Sequence, residues 1–102
     1  MIILGGDDTT DVWALTNANG LGGAPAWVQL TPSRGPPESL EGAVAIYDQS
    51  HNIVTTFGGY WCFNSVWSLS NANGLSGTPV WTNLIPNAAA GSPGCRDFSS
   101  GV

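Results

Sequence analysis

The chain contains the same segment twice. Trp13 to Pro32 reads WALTNANGLGGAPAWVQLTP, and Trp67 to Pro86 reads WSLSNANGLSGTPVWTNLIP. The offset is 67 − 13 = 54 residues, and 12 of the 20 aligned positions are identical. Trp27 and Trp81, Gly20 and Gly74, Pro25 and Pro79, and Pro32 and Pro86 all keep the same spacing. A chain of 102 residues with such a repeat carries two copies of one structural unit. Whatever fold it adopts must therefore use the same local structure twice.

The unit is built from strands. No long apolar pattern of helical period is present. Short apolar runs occur at Ile2–Leu4, Val12–Leu15, Trp27–Leu30, Ala43–Tyr47, Ile53–Phe57, Val66–Leu69 and Val80–Leu84. Turn residues separate them: Gly5-Gly6, Gly58-Gly59, the two NANG loops and the polar Asp48–Asn52 segment. Pro32–Pro37 and Pro86–Gly94 break the chain after each second-Trp strand. Several runs are apolar on both alternating faces, as in Val12-Trp13-Ala14-Leu15. Strands covered on both sides give that pattern, whereas a free-standing sandwich gives cleaner alternation. A four-stranded blade packed between neighbours meets the requirement, and a period near 50 residues matches one propeller blade.

Laid out as blades, residues 43–86 form one complete antiparallel set of strands A to D. Residues 1–32 supply only strands B, C and D of the other. The tail, residues 96–102, stands where the next strand A begins. The expectation is an all-β chain of two four-stranded propeller blades, circularly permuted. Its C-terminal strand completes the split blade, either within the chain or by strand exchange with a neighbour.

The residues resemble the kelch repeat family. A Gly doublet closes the second strand, followed by two spaced Trp: Gly58-Gly59, Trp67 and Trp81 in one copy, Gly5-Gly6, Trp13 and Trp27 in the other. The segment Tyr47-Asp48 through Asn52-Ile53-Val54 to Phe57-Gly58-Gly59 carries the same likeness. Some members place a basic residue ahead of strand A. Arg96 fits that place, while Glu38 occupies it in the other copy. The resemblance implies blades around a central channel with strand A innermost. It implies no single activity, because such propellers serve mainly as binding platforms and sometimes as enzymes.

Two blades do not close a propeller. The open faces, lined with Trp, Val and Leu, are interaction surfaces. At about 25 cal/mol per Å², covering several hundred Å² contributes on the order of 10 kcal/mol, comparable to the stability of a small domain. The expected partner is the chain itself, head to tail, as a homo-oligomeric ring. Rings of two-blade chains close at about four, six or eight blades, and a trimer of six best matches the resemblance.

Charge excludes other partners. Two Arg, no Lys and seven acidic residues give a net charge of −5. No basic stripe exists to neutralise phosphates or meet an anionic membrane surface. Met1–Leu4 lacks the length and charged start of a signal peptide. Cys62 and Cys95 lie in loops expected on one rim, within reach of a disulfide; a bridge would imply an oxidising compartment. No metal site or cofactor is expected, since neither Cys sits in a CxxC pair or near His51. His51 reads as a solvated turn residue.

The candidate binding residues are on loops. Tyr60, Trp61 and Phe63 offer aromatic rings for a sugar or a peptide. Asp7-Asp8, in the matching loop of the first copy, offers two acids that read first as a solvated turn. Glu38, Glu41, Arg96 and Asp97 stand near the expected channel mouth. No phosphate loop, nucleophile elbow or paired catalytic carboxylates are visible. The chain therefore reads as a non-catalytic scaffold for protein or carbohydrate. Two other readings stay open: an enzyme with its site on the ring axis, and a fragment of a longer kelch protein.

Overall fold

A computed structural model describes residues 1–35 and 38–102. The part of the Pro32–Pro37 breaker at Pro36 and Pro37 lies outside the described residues. The chain is all-β, with two antiparallel sheets. The first contains β1 (Ile2–Gly6), β2 (Thr9–Thr16) and β3 (Ala26–Leu30) in that order. The second contains β4 (Val44–Asp48), β5 (Ile53–Phe57), β6 (Val66–Ser70) and β7 (Val80–Ile85). Each of the seven expected strands forms within a few residues of its expected bounds. The molecule is elongated, 46 × 23 × 23 Å.

The eighth expected strand does not form in the single chain. Residues 96–102 carry no strand. The tail instead crosses the start of β4: the Phe98 N–H donates to the Gly42 carbonyl at 2.8 Å, and Gly101 packs on Val44 and Ile46. The first sheet therefore keeps three strands, with β1 as an unpaired edge.

The NANG loops show why the repeat is locally so similar. Asn17 and its counterpart Asn71 both adopt left-handed backbone, φ 48° and 52°. Each side-chain amide reaches across its loop to a carbonyl seven residues on: Asn17 Nδ2 to Ala24 at 3.2 Å, Asn71 Nδ2 to Thr78 at 3.0 Å. Asn19 and Asn73 each accept the N–H two residues on. Asparagine suits both tasks because it tolerates left-handed φ and replaces backbone partners.

The core lies between the sheets. Strand register puts Ile2, Leu4, Val12, Ala14, Val28 and Leu30 on one face of the first sheet. Register likewise puts Tyr47, Val54, Leu69 and Trp81 on one face of the second, with Ala45, Thr56 and Trp67 beside them. Val12, Ala14, Leu30, Leu40, Val54, Leu69, Ala72 and Trp81 form one buried cluster from these two faces and the connecting segments. The connection after β3 runs along β7, where the Trp81 N–H donates to the Ser33 carbonyl at 3.0 Å. Gly74 brings the second NANG loop against Ala14 and Leu30.

The repeat exposes what this packing leaves uncovered. Trp81 is 1% exposed, but its counterpart Trp27 is 48% exposed. Leu30 is 8% exposed, but its counterpart Leu84 is 54% exposed. The Trp-bearing face is buried in the second sheet and open in the first, and the Leu-bearing face is the reverse. Trp81→Ala in this chain is expected to cost about 3–5 kcal/mol, the range for emptying a large core site. Trp27→Ala in the isolated chain should cost less than about 1 kcal/mol. Urea denaturation of both variants at high dilution checks the contrast.

Candidate functional site

The loops after β1 and β5 meet at one end of the molecule. Asp7 and Asp8 form the two-residue β1–β2 turn, with φ 47° and 61° between the paired Gly6 and Thr9. Two successive positive φ values match the twist of a tight hairpin. The Thr9 hydroxyl donates to the Gly6 carbonyl at 2.7 Å and holds the turn.

The β5–β6 loop is longer and is pinned at several points. The Gly58 N–H donates to the Ser65 carbonyl at 3.2 Å, closing its base. The Gly59 N–H donates to the Arg96 carbonyl at 3.1 Å, and the Tyr60 N–H to the Glu41 carbonyl at 2.6 Å. Gly58 has φ 75°, and a Cβ there would strike the Arg96 carbonyl. Its counterpart Gly5, φ 54°, would meet the Thr9 carbonyl and Leu40. The Gly doublets thus admit the chain segment that crosses each sheet next to strand B. Tyr60–Cys62 makes one 3-10 turn, within which Trp61 and Cys62 both take left-handed φ, 65° and 67°. Such backbone costs about 1–3 kcal/mol per residue and persists where surrounding contacts over-determine it. One such contact lies at Cys62 itself, which meets Cys95 at disulfide distance with Cα atoms 4.7 Å apart.

This geometry presents two aromatic rings. The Tyr60 and Trp61 centroids are 5.2 Å apart and their planes meet at 75°. Trp61 is 69% exposed. Its indole N–H points to Asp8 Oδ1 at 3.5 Å, joining the loops of the two sheets. Phe63 is half-buried and takes no part in the ring pair. Asp7 is exposed beside Asp8.

Glu38 and Arg96 each bond within the chain. Glu38 Oε1 accepts the Ser65 hydroxyl at 2.5 Å and the Trp67 indole N–H at 3.1 Å. It therefore anchors the connection between the sheets to β6. The Arg96 guanidinium donates to the Gly94 and Cys95 carbonyls at 3.2 and 3.0 Å. Among the described residues, no ion pair joins Glu38, Glu41, Arg96 or Asp97. Asp11 is a partner the sequence reading did not single out. Its Oδ2 accepts the Trp13 indole N–H at 2.6 Å. That bond first, and then the Thr9 hydroxyl, hold the Asp11 carboxyl below its usual range. The signal was available: an acid stands two residues before a Trp whose indole N–H needs a partner when covered.

The other end of the molecule also holds a feature the sequence did not reveal. A cleft of ≈ 970 Å³ runs between the sheets along the free edge of β1, lined by Ile2, Leu4, Ala45, Tyr47, Asn73 and Leu75 among others. Near it, Asp48, Ser50 and His51 cluster in the β4–β5 turn. The Asp48 carboxylate and the Ser50 hydroxyl both meet His51 at Nδ1, at 2.6 and 2.9 Å. A Ser–His–Asp relay needs its nucleophilic serine and its orienting acid on opposite ring nitrogens of the histidine. The cluster is a turn network instead. The Ser50 hydroxyl and His51 lower the Asp48 pKa.

No protein-family model, curated protein or solved structure matches the chain.

The chain is expected to migrate with one intramolecular disulfide and no free thiol, read by intact mass after alkylation without reductant. Closing a loop of 33 residues contributes about 3–4 kcal/mol in the chain-entropy account. Cys62→Ser should therefore lower the unfolding free energy by about that amount, read as a drop in the urea midpoint at unchanged slope. Free thiols in the unreduced wild type would rule the bridge out.

Proposed function

We propose that the chain is a two-blade unit of a kelch-type β-propeller that assembles head to tail into a closed ring, most compatibly a trimer, and serves as a non-catalytic binding scaffold for protein or carbohydrate. The observation that carries this reading is the exchanged burial of repeat-equivalent residues. Inside one chain, a Leu30-type face packs on a Trp81-type face. The two outer faces are the same pair, Leu84-type at one end and Trp27-type at the other. A further copy placed at each end by the internal geometry would cover both, and identical head-to-tail contacts close when the rotation allows.

The tail and the cleft support the same arrangement. Leu40 crosses the first sheet at Gly5 before the chain enters β4, and Arg96 crosses the second at Gly58. The tail then lies on the Val44–Ile46 side of β4, the outer face of its sheet. In the ring it continues towards the β1 edge of the next copy, where the cleft leaves room for a further strand. Pairing there satisfies an otherwise open edge.

Light scattering coupled to size exclusion tests assembly. A mass three times that of the chain is expected, and a monomer at all concentrations overturns self-assembly. Trp27→Asp and Leu84→Asp should each remove one end of the junction and give smaller species. Mixed together, the two variants retain one intact pair of ends and should form a heterodimer that grows no further.

Deleting residues 97–102 should shift ring dissociation to at least about tenfold higher protein concentration, equivalent to about 1.4 kcal/mol. An unchanged dilution profile would remove the tail from the junction.

A further inference from the structure

We propose that Tyr60, Trp61 and Asp8 form a recognition corner for an organic ammonium group. The proposal deepens the reading of the chain as a binding scaffold and rests on it, but the corner lies within one chain and needs no second copy. Two rings meeting at 75° with centroids 5.2 Å apart make two walls, not one flat platform. A sugar stacks on a single flat face. A compact, rounded cation touches both walls of a corner.

Charge points the same way. The face of an aromatic ring is electron-rich and attracts a cation, and Trp does so most strongly. Asp8 Oδ1 stands at the edge of the Trp61 indole, 3.5 Å from Nε1, and Asp7 is its neighbour in the turn. The whole chain carries net charge −5 with no Lys. The nearby guanidinium of Arg96 is turned onto the Gly94 and Cys95 carbonyls. The site is also pre-shaped: hydrogen bonds at Gly58, Gly59 and Tyr60 fix the loop, and Cys62 meets Cys95. A ligand therefore does not have to order the rings, which lowers the entropic cost of binding. Trp61 is more exposed than a core packing role requires, at 69%.

Proton–nitrogen correlation NMR of the wild-type chain, titrated with choline, tests the corner. The Trp61 indole N–H and the Asp8 amide should shift saturably, with a dissociation constant on the order of tens of millimolar, as suits two exposed cation–π contacts and an exposed ion pair. Asp8→Asn should weaken binding about 2–5-fold, the range for an exposed ion pair, and added salt should do the same. Trp61→Ala, followed at the Asp8 amide, should abolish the saturable shift. The uncharged tert-butyl isostere of choline separates charge from shape, and cellobiose separates an ammonium site from a sugar site. Equal shifts with the isostere, saturation by cellobiose alone, or no choline response overturn the proposal. A choline response on a monomer would overturn the ring and leave the corner standing. A ring without a choline response would do the opposite.

Discussion

The contact between the Leu30 face and the Trp81 face is the constraint on which the rest of the structure depends. Each sheet is thin, and neither can bury an apolar face against itself. Their shared core supplies most of the fully buried side chains among the described residues. Loops and connections follow from it. The second NANG loop closes over Ala14 and Leu30, the segment after β3 runs beside Trp81, and Leu40 seals the region above Gly5. The rim and the cleft lie at opposite ends of this contact, so both are spaced by it.

The same contact separates the loops at the strand ends from the exposed apolar faces. Exposed apolar surface lies on the broad faces of the sheets, where Trp27 and Leu84 are open. The rim residues stand at the strand ends, on a turn and a pinned loop. Covering the faces with further sheets leaves the rim accessible.

Much of the fold was legible because the sequence shows it twice. Short apolar runs placed all seven strands, and Gly-Gly and Asn-Gly helped to mark the turns between them. The proximity of Cys62 and Cys95 followed from assigning both to loops at one end. The tail was less legible: in Arg96–Val102 only Phe98 and Val102 are strand formers, and its backbone bonds to Gly42 and Gly59 without entering a ladder. The bonds of Glu38 were not legible because its partners, Ser65 and Trp67, are 27 and 29 residues away. The ring pair and the β1 cleft were illegible for a related reason. Ring angles and gaps between sheets are set by tertiary geometry, which no local pattern encodes.

The two carboxylates beside the first Trp of each copy bear on what the repeat repeats. In the first copy the acid is Asp11, within β2 itself. In the second copy position 65 is Ser, and the acid comes from Glu38, outside the sheet. Alignment scores this position as a mismatch, yet each indole N–H ends on a carboxylate oxygen. The unit is thus preserved as a set of atoms in space, and which stretch of chain supplies an atom is free to change. Counting identical letters between the copies understates how alike they are.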